Sequence, residues 1–377
     1  MQQYDIIVAG AGPGGSTFVR CLADTDLRIA LIDKATFPRD KICGDAIPGT
    51  AIRVGRRRSR DYWDGLPALN PLRRTRGFSP SGTILDVEYV NDGYTCPRLD
   101  FDQYLLEQAL TYPRLDTHFG TKLKNLVREN GQNIATLSDG TQLSAPLIIG
   151  ADGAHSVVAK KLTDTKMDRN HYCAAVRTYY RGLTDIKDDR MMFYFLDGFL
   201  PGYFWIFPLK DGLFNVGFGM LSRQVSERKI DLRDSLDRIV AESPQVKSHF
   251  AHAEQVGKNE GFGLPLGSRT VPRSGDGFML VGDAAGLIDP FTGEGIGNAM
   301  MSAEMAAAVA RECLASGRLD AKSLRAYDTA VTKKMGFDFK MKHLGQRILA
   351  DRPWLINGLM RLASGNRLAH WALKKVV

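Results

Sequence analysis

The sequence predicts an α/β chain in which a Rossmann-type nucleotide-binding domain is interrupted by a mostly antiparallel β-sheet domain and followed by a helical tail. Three observations carry this. An apolar strand, a glycine-rich turn and a helix pattern open the chain at residues 4–34. Two further strand–turn–helix units, each with an acid at its turn, recur at 145–162 and 278–300. Between them, from about 170 to 270, run strand-like segments such as HYCAAVRTYYRG and GYFWIFPL. On this basis residues 1–80, 98–168 and 272–335 form the nucleotide domain, 81–97 and 169–271 a substrate domain, and 336–377 a C-terminal helical segment.

The first unit, YDIIVAGAGPGG, reads as a buried strand ending in a GxGxxG turn. Gly10 turns the chain, Gly12 lets backbone approach a pyrophosphate, and Gly15 lets helix and strand pack closely. Pro13 and Gly14 start the helix, whose first N–H groups point at an anion. A second buried strand, Arg28–Ile32, ends at Asp33, 18 residues past Gly15. A carboxylate there can accept both ribose hydroxyls, so the unit predicts dinucleotide binding. It does not separate FAD from NAD.

The second unit runs from the strand Pro146–Ile149 into Gly150-Ala-Asp152-Gly153. Asp152 suits a ligand contact or a plain helix cap equally well. The third runs from Phe278–Val281 into Gly282-Asp283, then past Pro290 and Gly293 to Gly295 and Ile296. Asp283 stands free to bind a polyol such as ribityl. The N–H groups after Gly295 suit the negative charge of a reduced flavin, and the missing side chains let a ring lie close.

Bulk properties bound the remaining classes. The 377 residues are 44% hydrophobic and 24% charged, an ordinary globular composition. No run approaches the roughly 18 apolar residues of a membrane span. The chain begins directly on a strand and turn, so no signal peptide is expected and the location is taken as cytoplasmic. The five cysteines (Cys21, Cys43, Cys96, Cys173 and Cys313) are odd in number and include no CxxC pair. A reducing compartment follows, with no disulfides and no metal site expected. The net charge of +8 is concentrated: residues 53–60 hold five arginines and 352–377 hold five Lys/Arg with no acid. Two basic patches on a near-neutral chain argue for local anion contact and against nucleic acid as a partner.

Taken together, GAGPGG at 10–15, GADGAHS at 150–156 and GDAAGLIDPFTGEGIGNAM at 282–300 resemble the FAD-dependent oxidoreductases built like p-hydroxybenzoate hydroxylase. The resemblance implies FAD, with Asp283 at the ribityl and Gly295 and Ile296 at the isoalloxazine. It also implies Arg98, in CPRLDFDQYLLEQAL, as a cofactor contact, with Lys34, Leu123 and Asp152 among the cofactor-binding positions. A surface cation is the plainer account of Arg98. No second GxGxxG appears, so the reductant is NAD(P)H bound without a Rossmann site of its own, or an electron-donor protein.

Two stretches narrow the branch. FPRDKICGDAIPG at 37–49 and LPGYFWIFPLKDGLFNVGFGM at 200–220 are similar to the geranylgeranyl reductase family, whose members saturate isoprenoid double bonds. The likeness implies that Cys43, Gly44 and Ala46 lie by the flavin and that Tyr203, Trp205 and Phe207 line a small hydrophobic substrate, isoprenoid or lipid. Ala46 stands where the family usually has glycine. The residues themselves agree in part: Tyr203, Trp205 and Phe207 alternate and so face one side of a strand. Ordinary core packing would produce the same alternation. Cys43, the one catalytic candidate, sits beside Arg39 and Lys41, which would lower its pKa, but a buried inert cysteine fits equally.

The resulting expectation is an FAD-dependent oxidoreductase that reduces carbon–carbon double bonds. The rivals are a monooxygenase or halogenase on an aromatic or polyene substrate, and a flavin-binding electron carrier, which a sealed aromatic core would favour. In the tail, Leu355, Leu359 and Leu362 share a face that Leu368, Trp371 and Ala372 continue. A basic amphipathic helix suits either its own domain or contact with the inner membrane face.

Overall fold

In the computed structural model residues 1–350 and 352–365 are described, the side chains of 89–92 excepted. The amino-terminal apolar run forms Ile6–Ala9, which lies centrally in a six-stranded sheet. The order across it is Ser274–Gly275, Phe278–Leu280, Leu147–Gly150, Ile6–Ala9, Ile29–Asp33, Leu115–Phe119. All neighbours are parallel except the first pair. The inner strands are continuous apolar runs because helices cover the sheet. Ile6, Ile7, Val8, Ile29, Leu31, Ile148 and Ile149 are inaccessible to solvent. The helices Pro13–Cys21, Ile296–Ala315 and Ala321–Val331 share this core through Phe18, Val19, Ala303, Ala306, Leu324 and Tyr327.

The three acid-tipped turns follow from this topology. Parallel strands place all their carboxyl ends on one edge, and the register aligns Ala9 with both Ile32 and Gly150, and Gly150 with Leu280. The turns after Ala9, Gly150 and Leu280 are thereby neighbours, the arrangement that opens a ligand crevice in such sheets. A small meander (Leu123–Glu129, Gln132–Leu137, Gln142–Ala145) turns at Asn130-Gly131, both at positive φ.

The second sheet has eight strands in the order Glu254–Pro265, Tyr172–Arg181, Leu213–Leu221, Tyr203–Pro208, Arg190–Tyr194, Asn70–Phe78, Ile84–Thr95, Ala46–Ile47. Its one parallel pair is Arg190–Tyr194 with Asn70–Phe78. It therefore takes strands from the stretch 1–80, which the sequence assigned to the other lobe. One face packs on Leu232–Glu242, whose Asp231 cap accepts the N–H of Arg233 and Asp234. Phe204, Ile206, Val216 and Phe218 fill that core. The other face is turned to the six-stranded sheet.

The chain ends in Phe337–Leu349 and Pro353–Gly365. The second helix buries Ile356, Met360 and Ala363 against Leu85, Val87 and Leu200. The expected stripe is thus on the outside: Leu359 and Leu362 are exposed, and the residues one position on from it do the packing. Leu368, Trp371 and Ala372 lie outside the described residues. No described helix is long and apolar enough to cross a membrane. All five cysteines are free.

Candidate functional site

A single cavity of about 1750 Å³ runs between the two sheets. Ligand sites ordinarily occupy roughly 300–1,000 Å³, so this one has room for a dinucleotide and a second molecule. Gly10, Gly12, Asp33, Lys34 and Leu123 line one end. Gly282, Asp283, Pro290, Gly293, Gly295 and Ile296 line the middle, together with Cys43, Gly44, Ala46 and Arg98. Tyr203, Trp205 and Phe207 line the far side. The structure therefore brings together residues up to 286 positions apart in sequence.

At the first end the glycines are required by contact. Gly10 has φ +102°, and a Cβ on it would lie 2.3 Å from the Ala151 carbonyl oxygen. A Cβ on Gly15 would lie 1.8 Å from the Gly10 oxygen. Asp33 braces the turn: its Oδ2 accepts the Ala11 N–H at 2.8 Å and its Oδ1 that of Ala35 at 2.9 Å. The helix that follows has Gly12 as N-cap without a side-chain cap, and Pro13 has no N–H. The N–H groups of Gly14 and Gly15 are left for an anion. Asp152 behaves as a cap: it accepts from Ser156 Oγ and from the Val157 and Val158 N–H groups.

Arg98 is no surface cation. It is 3% exposed and forms two 2.6 Å bonds to Asp102, one turn along its own helix. Arg39 adds a third contact to the same carboxylate at 2.7 Å. Burial would raise Asp102, but Arg98 and Arg39 hold it below the usual carboxylate range. The planar Arg98 is thus locked facing the cavity. Asp283 pairs with Lys41 at 3.1 Å. The helix after it begins at Ile296 with Gly295 as N-cap, again without a side-chain cap, so another set of N–H groups opens on the cavity.

The aromatic strand stands on the opposite wall. Phe193, unremarked in the sequence, links Tyr203 and Phe207 at centroid distances of 5.3 and 5.0 Å. Trp205 lies flat over the neighbouring strand, where a Cβ on Gly217 would come within 2.1 Å of its ring. Its indole N–H donates to Asn215 Oδ1 at 2.9 Å. Asn215 in turn donates to the Cys43 carbonyl and to Asp45 Oδ2, each at 2.8 Å. One buried amide therefore ties the aromatic wall to the cysteine loop. The aromatics face a cavity, not a sealed core.

Of the two accounts of Cys43, the structure follows the buried thiol and not the lowered pKa. Burial pushes its thiol up, and that effect exceeds the pull of Arg98. At neutral pH it is a thiol.

Sequence reasoning also missed a carboxyl, Glu294. Most acids along the cavity have cation or backbone partners: Asp40 and Glu260 pair with Arg177, Glu88 with Arg74, Asp283 with Lys41, while Asp33 and Asp152 take backbone N–H groups. Glu294 accepts from the Thr50 hydroxyl at 2.9 Å, and burial pushes it up to about 7. It sits between Gly293 and Gly295, two residues past Thr292, whose carbonyl accepts the Tyr203 hydroxyl. Its only early signal was an acid inside a glycine pair.

The residues present fit FAD: two uncapped helix starts, an acid at each turn, and glycine cradles that a Cβ would fill. Comparison with known proteins agrees. A family model described as FAD binding domain matches residues 83–333. A digeranylgeranylglycerophospholipid reductase of Thermoplasma volcanium is 30% identical over 93% of this chain and 88% of its own length. A menaquinone reductase of Mycobacterium tuberculosis is 31% identical over 80% of this chain and 75% of its own. The solved structure of a geranylgeranyl bacteriochlorophyll reductase-like protein from Thermoplasma acidophilum aligns with TM-score 0.78 and 27% identity, covering 96% of this chain and 88% of that one.

Proposed function

The chain belongs to the geranylgeranyl reductase family of FAD-dependent oxidoreductases, and on that premise we propose that it reduces carbon–carbon double bonds of a long apolar substrate of isoprenoid or lipid type. One observation carries this reading: the cradle suited to the flavin opens directly onto the wall of Phe193, Tyr203, Trp205 and Phe207. Bound FAD, once reduced by NAD(P)H or a donor protein, supplies the hydride.

The chain supplies the rest. The Gly12 backbone and the N–H groups of Gly14 and Gly15 hold the pyrophosphate, and Asp33 the ribose. Asp283 orients the ribityl chain, and the N–H groups after Gly295 face the ring's negative edge. The aromatic wall aligns an apolar chain by shape and keeps water out, which matters for an alkene with little polarity of its own. Glu294, near neutral pKa at the junction of both regions, holds the proton at a carboxyl oxygen. On the same basis we divide the chain into a discontinuous flavin lobe and an inserted substrate lobe.

The test is anaerobic turnover of extracted apolar lipids by the FAD-loaded, chemically reduced protein, read by mass spectrometry. The expected product is heavier by one pair of hydrogens per bond reduced. A product that carries oxygen, or turnover that requires oxygen, would overturn the reading.

A further inference from the structure

The two last helices leave an apolar surface that the catalytic reading does not use. Along Phe337–Leu349 the outward residues are Phe337, Met341, Leu344 and Ile348, which are 78, 50, 48 and 42% exposed. Spacings of four, three and four put them on one stripe. Along Pro353–Gly365, Trp354, Leu359 and Leu362 are 69, 45 and 58% exposed. Isolated apolar residues on a surface are ordinary; seven large ones on two consecutive helices form a patch that signifies contact.

The charge around the patch selects the partner. Lys333, Lys334, Lys340, Arg347, Arg352 and Arg361 are all exposed on this stretch. Among the described residues from 333 to 365 the one acid is Asp338, and it pairs with Lys342 at 2.9 Å. A second copy of this chain would set these cations against one another. An anionic bilayer would attract them while its acyl region takes up the stripe.

The placement also relates to the cavity. On its inner side Phe337–Leu349 presents Lys342 and Gln346 to the cavity. Ile356 and Met360 pack with Leu200, whose neighbours Pro201 and Gly202 line the same cavity. The patch is therefore one helix away from the end that holds the aromatic wall.

We propose that the outer faces of Phe337–Leu349 and Pro353–Gly365 dock the protein on an anionic lipid bilayer. This deepens the reading of a lipid substrate, but its test needs no turnover. The full-length FAD-loaded protein is sedimented with vesicles of phosphatidylglycerol mixed into phosphatidylcholine, and with phosphatidylcholine vesicles alone. Binding to the mixed vesicles that weakens with salt is expected. The triple variant Phe337→Glu, Met341→Glu, Leu344→Glu should bind at least about tenfold more weakly while remaining yellow and folded. Lys340→Glu with Arg347→Glu should lose the preference for the anionic lipid. Failure of the wild type to bind mixed vesicles, or an undiminished triple variant, overturns the proposal. So does light scattering that shows a dimer abolished by the triple variant with no vesicle binding, since the face would then be self-associating.

Discussion

Gly217 shows how much a single residue can decide here. With a hydrogen as its side chain, it lets the Trp205 ring lie against the neighbouring strand; a methyl group would meet that ring at 2.1–2.6 Å. Gly217→Ala is expected to cost about 1–3 kcal/mol through overpacking and to change the near-ultraviolet circular dichroism, because the indole must move. Urea denaturation and that spectrum check it; an unchanged pair would mean the wall tolerates displacement. Asp45 is the second such residue. It is wholly buried, and burial pushes its carboxyl up to about 6 against the bonds from Asn215 and Tyr179. The unfolded carboxyl titrates near 4. Between those values the folded state holds a proton that the unfolded state releases, so this group's contribution to stability falls as pH rises from about 4 to 6 and stays low above. Asp45→Asn removes the dependence. Relative to wild type it should gain up to about 3 kcal/mol between pH 4 and pH 7, measured by denaturant titration across that range. Parallel pH profiles would refute the assignment.

At the scale of elements, most of the nucleotide lobe was legible because its signals are local. Strand, glycine turn and helix follow one another within about thirty residues, and apolar runs mark fully buried parallel strands. The boundaries moved by only one residue: Arg28–Ile32 became Ile29–Asp33, and Pro146–Ile149 became Leu147–Gly150. The stretch 81–97, assigned to the substrate domain, forms the strand Ile84–Thr95, which pairs with Asn70–Phe78. Asn70–Phe78 was not recognised as a strand, since Arg73, Arg74 and Arg76 interrupt its apolar alternation. The tail shows the same limit. Periodicity marks an amphipathic helix, but the final helix has apolar residues on two sides, and only the packing of Ile356, Met360 and Ala363 reveals which side is spent.

For the whole molecule, the site exists only when the two sheets stand face to face. Asp33, Asp152 and Asp283 reach one cavity from three separate strand ends, and the aromatic wall completes it from a different sheet. FAD should therefore bind the folded state alone and stabilise it by mass action, adding about 2.7 kcal/mol at a hundredfold excess over Kd. Asp283→Ala should lower FAD retention on gel filtration while leaving the apoprotein's unfolding midpoint within about 0.5 kcal/mol of wild type, as for a partly exposed ion pair. A variant that stays fully yellow would show that this carboxylate does not hold the cofactor.

By itself the sequence determined the three strand–turn–helix units, their fitness for a dinucleotide and the alternation of Tyr203, Trp205 and Phe207, because strand, turn and helix signals lie within short windows and side-chain direction follows a fixed period. Tertiary structure alone decided what each acid and thiol does. Asp152 became a cap, Glu294 a near-neutral carboxyl, Cys43 a protonated thiol, and Asn215 the tie between two walls. Burial and partners set protonation and hydrogen bonding, and both come from residues distant in the chain.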